Sequence, residues 1–252
     1  MRFFDFHTHP YMEMTESIKR YPLPEDAGYA KQQAEMEKLG IYRAAGSVLT
    51  KIEGDQLTKL RRENEVMYRI FEEHGDFFVP GLRISPFYMQ ESCEMVEEAY
   101  RRGIRLIGEL TPYASGGWNY CDCGEIFDLA QEKGMVISCH PTNGEDMDRV
   151  CALFPHLTFV FAHPGEHESV LAHIERMKKH DNAYLDISGT GIFRNGVLRF
   201  IIDAVGADRV LFGSDYPVCN PGVYTGGTLF ENLSPEALEK VAYKNAERLL
   251  RK

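Results

Sequence analysis

The sequence predicts an α/β fold, a (β/α)8 barrel formed by residues 1–252 as one domain. Short β-branched or aromatic runs alternate with segments of helical periodicity along the whole chain. The length of 252 residues fits the roughly 250 usual for such barrels. Residues able to bind metal follow several of the strands, at the barrel end where this fold does its chemistry.

The strands are read at 2–7, 42–48, 77–83, 104–110, 135–140, 158–163, 183–187 and 209–213. Between them Leu57, Leu60, Met67, Ile70 and Phe71 mark one helical face, and Met95, Val96, Ala99 and Tyr100 a second. Ile126, Phe127, Leu129 and Ala130 mark a third, and Val170, Leu171, Ile174 and Met177 a fourth. Gly40, Gly75, Gly103 and Gly134 stand where helices end and a left-handed C-cap is wanted. Ser234-Pro235-Glu236 opens the last helix, with Ser as N-cap and Pro at the first helical position. An open doubly wound sheet is the alternative, but its Gly-rich phosphate loop is replaced after the first strand by His7-Thr8-His9-Pro10. Two long irregular segments, 10–24 and 111–122, are expected to wall the substrate pocket, with Tyr113 and Trp118 as substrate contacts. For Trp118 the competing role is packing under the loop.

A formal net charge of -10 and a pI near 5.4 leave no excess of Lys and Arg to displace counterions, so nucleic acid is excluded as a partner. No run of 18 apolar residues offers a membrane span. The chain begins on a strand with no export signal, and a cytoplasmic location is expected. The six cysteines form no C-x-x-C pair, and Cys121 and Cys123 are expected as reduced thiols. The expected partner is a small-molecule substrate, and a homodimer is compatible with these features.

In Asp5-Phe6-His7-Thr8-His9-Pro10, residues i and i+2 of an extended chain point to one side, so His7 and His9 can present both imidazoles to one point. Glu109 ends the fourth strand, His140 follows the fifth, His163 the sixth and Asp215 the eighth. In a barrel these ends ring one mouth. Imidazole and carboxylate together suit Zn2+ or a similar divalent ion, whose bound water has a pKa lowered to about 7. Asp215 could then move the proton. The competing role for Glu109 is an ion pair with Lys51 or Arg83. His74, His156, His167, His173 and His180 lie on or beside helices or at the far end, where surface or packing roles are expected.

Taken in order, His7-x-His9, Gly108-Glu109-Leu110, Ser138-Cys139-His140-Pro141, Ala162-His163-Pro164-Gly165 and Gly213-Ser214-Asp215-Tyr216-Pro217 resemble the amidohydrolase superfamily. With Asn245-Ala246-Glu247-Arg248-Leu249-Leu250, the last motif is similar to the amidohydrolase-2 branch that includes aminocarboxymuconate-semialdehyde decarboxylase. The resemblance implies His7, His9, His140 and Asp215 as metal ligands, and His163 as a ligand or the group orienting a metal-bound water. Glu109 departs from the decarboxylases and resembles the bridging glutamate of binuclear, TatD-like hydrolases. A cofactor of one or two divalent ions, foremost Zn2+, is therefore expected. The activity expected is hydrolysis of an amide, ester, lactone or related bond, with Asp215 and His163 as catalytic residues. The alternative is a non-oxidative decarboxylase of a small carboxylic acid. That reaction needs a cation to hold the substrate carboxylate, and Arg83 and Arg194 are the candidates, with Arg83 the expected substrate contact.

Overall fold

The computed structural model describes residues 1–13, 28–50 and 55–251. Eight parallel strands follow one another around a single sheet in chain order. They are β1 Phe3–Thr8, β2 Ile41–Gly46, β3 Phe78–Leu82, β4 Leu106–Leu110, β5 Val136–Cys139, β6 Thr158–Phe161, β7 Ala183–Asp186 and β8 Val210–Leu211. The ring closes where Phe6 N donates to Phe212 O at 2.9 Å and Asp215 N to His7 O at 2.8 Å. Helices α1 Tyr29–Glu37, α2 Gln56–His74, α3 Met89–Arg101, α4 Gly124–Glu132, α5 Gly144–Leu153, α6 His167–Lys179, α7 Val197–Val205 and α8 Pro221–Phe230 lie outside it. The fold is the expected (β/α)8 barrel.

The apolar runs are continuous because both strand faces are buried. Phe4, Phe6, Ala45, Leu106, Val136 and Val160 fill the barrel interior. Phe3, Ile41, Phe78, Ile107, Ile137 and Phe159 pack outward with the helices. Among the described residues no helix is long and apolar enough to cross a membrane.

Gly40, Gly103 and Gly134 take positive φ as expected, but Gly75 stays right-handed at φ -63°. Space rather than backbone freedom requires glycine there, since a Cβ would stand 2.7 Å from Phe71 O. The last helix is also not one regular helix. Ser234 caps α9, Pro235–Glu239, but a wider turn over Lys240–Lys244 precedes α10, Asn245–Leu250. Asn245 Nδ2 there donates to Ala207 O and Val210 O at 2.7 and 2.8 Å, pinning the terminal helix to β8.

Candidate metal centre

Two irregularities aim ligands into the mouth. In β1 the register runs from Asp5↔Ala44 to Thr8↔Gly46, so β1 carries one residue more than its neighbour just where His7 stands. In β4 the register shifts likewise between Ile107↔Ile137 and Leu110↔Cys139. Ile107 and Leu110 both pack outward although three residues apart, which a regular strand forbids, and the extra residue lets Glu109 turn inward. Gly108 permits this bulge: its φ is +103°, and a Cβ would lie 2.2 Å from Ser138 O.

His7 Nε2 and His9 Nε2 come within 3.2 Å of each other. Glu109 Oε2 lies 3.6 and 3.4 Å from them, and Asp215 Oδ1 3.7 and 3.4 Å. Glu109 Oε1 faces the other way, 3.5 Å from His163 Nε2 and 3.0 Å from His140 Nδ1. Among the described residues, two potential ligand triads share His7, one with His9 and Asp215 and one with Glu109 and His163, their atoms within 4.8 Å of one another. His163 and Asp215 hold positive φ of 59° and 60°, conformations that cost on the order of 1 kcal/mol or more each in a non-glycine residue. His163 also needs Gly189 beside it, where a Cβ would stand 2.2 Å from its Nδ1.

Outer contacts set which nitrogens face the centre. His7 Nδ1 donates to Asp186 Oδ2 and His9 Nδ1 to Ser47 O, both at 3.0 Å. Ser188 Oγ donates to Asp186 Oδ1 and lies 3.0 Å from His163 Nδ1, whose N–H it accepts. The network therefore leaves each Nε2 lone pair for the centre. Asp186 and Ser188 were missed in the sequence, although Asp186 ends the seventh strand and obeys the rule that found the others.

The centre attracts cations. Burial lowers the His7 imidazole, but Asp186 and Glu109 outweigh it and hold it well above the usual histidine range. Burial likewise lowers His9, and the bonds to Asp215 and Glu109 leave it at about 9. Burial raises Glu109, but His7 and His140 pull it well below the usual carboxylate range. Burial holds His163 below the usual histidine value. Buried carboxylates and lone pairs converging from imidazole nitrogens fit a divalent ion, and no cysteine belongs to the set.

A cavity of about 1000 Å³ opens over this centre, reached by His9, Glu109, His140, His163 and Asp215. Tyr113 is on its wall, 66 % exposed, its ring centroid 4.7 Å from that of His140. The other expected substrate contacts lie elsewhere. Trp118 is buried edge-on against Tyr120 under its loop. Arg83 is buried, with donors committed to Glu109 O, to Thr111 Oγ1 at 2.9 Å and to Ser115 Oγ at 3.2 Å, and with Glu63 Oε2 3.4 Å from Nε. It braces the β4 bulge through the Glu109 backbone, so the Arg83–Glu109 ion pair does not form. Lys51, residues 14–27 and hence most of the first irregular segment lie outside the described residues. Arg194 is exposed and paired with Glu166 at 3.1 Å.

The family model for amidohydrolases matches residues 4–252. No curated protein matches the chain. Among solved structures, 2,6-dihydroxybenzoate decarboxylase from Rhizobium is 14 % identical, with a TM-score of 0.75 and coverage of 100 % of this chain and 99 % of that one. The 5-carboxyvanillate decarboxylase of Sphingomonas paucimobilis is 15 % identical, with a TM-score of 0.70 and 99 % of each chain covered. A dihydroxybenzoic acid decarboxylase from a Polaromonas species, bound to manganese and 2-nitroresorcinol, is 15 % identical, with a TM-score of 0.70 and coverage of 99 % and 97 %. At these identities the likeness concerns the fold. The expectation of a hydrolase is nonetheless corrected: these whole-chain structural counterparts are decarboxylases.

Proposed function

Because the chain belongs to the amidohydrolase family, we propose that it is a metal-dependent decarboxylase, a cytoplasmic lyase acting on a small aromatic acid. The observation behind this reading is the cavity itself. Its floor is a cation-seeking His/carboxylate cluster, and Tyr113, Phe193 and Tyr224 on its wall offer aromatic faces to a flat substrate.

On this reading His7, His9 and Asp215 hold one divalent ion, with Glu109 facing them from β4. When bound, the ion supplies Lewis-acid polarisation of substrate oxygens. Decarboxylation breaks the bond between ring carbon and carboxylate, CO2 leaves, and the electron pair left on the carbon must receive a proton. Asp215, at the cavity floor, takes a proton from water and relays it to that carbon. His163, kept neutral by burial and oriented through Ser188, offers Nε2 to a substrate hydroxyl. Tyr113 covers the His140 side of the bound ring.

The test is CO2 release from hydroxylated benzoates, with 2,6-dihydroxybenzoate and 5-carboxyvanillate first, by protein loaded with Mn2+ and, separately, Zn2+. Turnover with about one ion per chain, reduced on the order of 100- to 10,000-fold in Asp215→Asn, is the expected result. Hydrolysis of esters or amides without CO2 release from any aromatic acid would overturn it.

A further inference from the structure

The mouth cavity has a second polar end. It runs from the metal centre between the start of α5 and the inner face of α6, where Thr142, Gly144, His173 and Arg176 line it. Arg176 is the one Arg or Lys on the cavity wall among the described residues. It is 3 % exposed, and its guanidinium carbon lies 5.1 Å from the Phe161 ring centroid.

Its contacts are incomplete for a buried guanidinium with five donors. Nη2 reaches Gly144 O at 3.4 Å and Nη1 the His173 ring at 3.2 Å. Burial and the Arg176 charge hold His173 down to about 3, so that partner is neutral. Asp148 Oδ1 lies 2.8 Å from Nε, close enough for an ion pair, yet the two atoms lack hydrogen-bond geometry. Thr142 Oγ1, two residues before Gly144, is buried without a hydrogen-bond partner. A buried cation with an unused donor direction and an unpartnered hydroxyl thus meet one cavity. Such an arrangement suits a planar oxyanion, which takes paired N–H donors from arginine.

We infer that Arg176 and Thr142 receive a second carboxylate of the substrate, remote from the one that departs, so that the substrate is a small dicarboxylic acid. This rests on the decarboxylase reading for the fate of the first carboxylate. The second carboxylate orients the ring and is not consumed.

The test uses binding and requires no turnover. Isothermal titration of Mn2+-loaded protein compares isophthalate, benzoate and inorganic phosphate. A charged hydrogen bond of this kind corresponds to about 10- to 100-fold in affinity, so isophthalate should bind that much more tightly than benzoate. Arg176→Met should bring isophthalate to the benzoate level and leave benzoate unchanged, and Thr142→Val should lower isophthalate affinity by a smaller factor. Asp148→Ala, which frees the guanidinium, should strengthen isophthalate binding and covers the case in which Arg176→Met does not fold. Equal binding of isophthalate and benzoate, a preference that survives Arg176→Met, or unchanged isophthalate affinity in Asp148→Ala would overturn the inference. So would phosphate binding at Arg176 as tightly as isophthalate, which would mark a general anion site. An Arg176-dependent preference without CO2 release from any aromatic acid would leave this subsite standing and remove the decarboxylase.

Discussion

On the β1–β8 side of the mouth, His7 and His9 have side chains 1 % and 2 % exposed, and each Nδ1 is tied back to Asp186 or to Ser47 O. On the β5–β6 side, His140 and His163 are 27 % and 15 % exposed, and the wall beyond them ends in Arg176 with donors to spare. On the decarboxylase reading, the difference divides the labour. Ligands for an ion must be rigid before it arrives, and burial with outer-shell bonds makes them so. Groups that meet a substrate must stay accessible and keep bonding capacity until it binds.

The largest effect should come from breaking the rigid side. His7→Ala removes the residue shared by both ligand triads, and metal content and activity should fall by more than the roughly 100-fold ceiling for outer-shell partners. His140→Ala should retain most of the metal. Elemental analysis with circular dichroism checks both, and equal metal loss in the two variants would erase the contrast.

An intermediate effect should come from the bond that joins the sides. Ser188→Ala frees His163 Nδ1 and should cost about 10- to 100-fold in kcat, with Ser188→Thr restoring most of it. An unspecific packing defect would not be rescued by the hydroxyl.

The smallest effect concerns His173, on the open side but buried neutral. Its folded pKa of about 3 lies below the unfolded value near 6.5, so the unfolded chain alone takes up this proton as pH falls between them. Its contribution to stability is complete above pH 6.5 and is lost on acidification, by about 2 kcal/mol between pH 7 and pH 5. Denaturant unfolding of His173→Phe should show a correspondingly shallower acid dependence.

Much of this was legible because position alone identifies it. Continuous apolar runs marked the strands, and His7, His9, Glu109, His163 and Asp215 were found by following strand ends, which a barrel must gather at one mouth. Direction was not legible. Arg83 also stands beyond a strand end, but Asn64 brackets its backbone, Arg83 N to Asn64 Oδ1 at 2.8 Å and Asn64 Nδ2 to Arg83 O at 2.9 Å, and Glu63 lies against its Nε. Arg176 stood out by no motif, and it is buried by Phe161 of β6 and the start of α5, which the sequence does not place beside it. Reaction type was least legible, since the same imidazoles and carboxylates serve hydrolysis and decarboxylation.

The seam of the barrel runs through its chemistry. β8 has two residues, and beyond it the closure depends on Asp215 N to His7 O, His9 N to Tyr216 O at 2.7 Å and Ser214 N to Asp5 Oδ1 at 2.9 Å. The first strand and the segment after the last are thus stitched together at the candidate ligands. During synthesis His7 and His9 leave the ribosome long before Asp215, and no partial chain holds the set they form together. Assembly of the cluster and completion of the ring are one event, so a chain stalled before Asp215 cannot form this geometry, and an intact cluster reports a closed barrel.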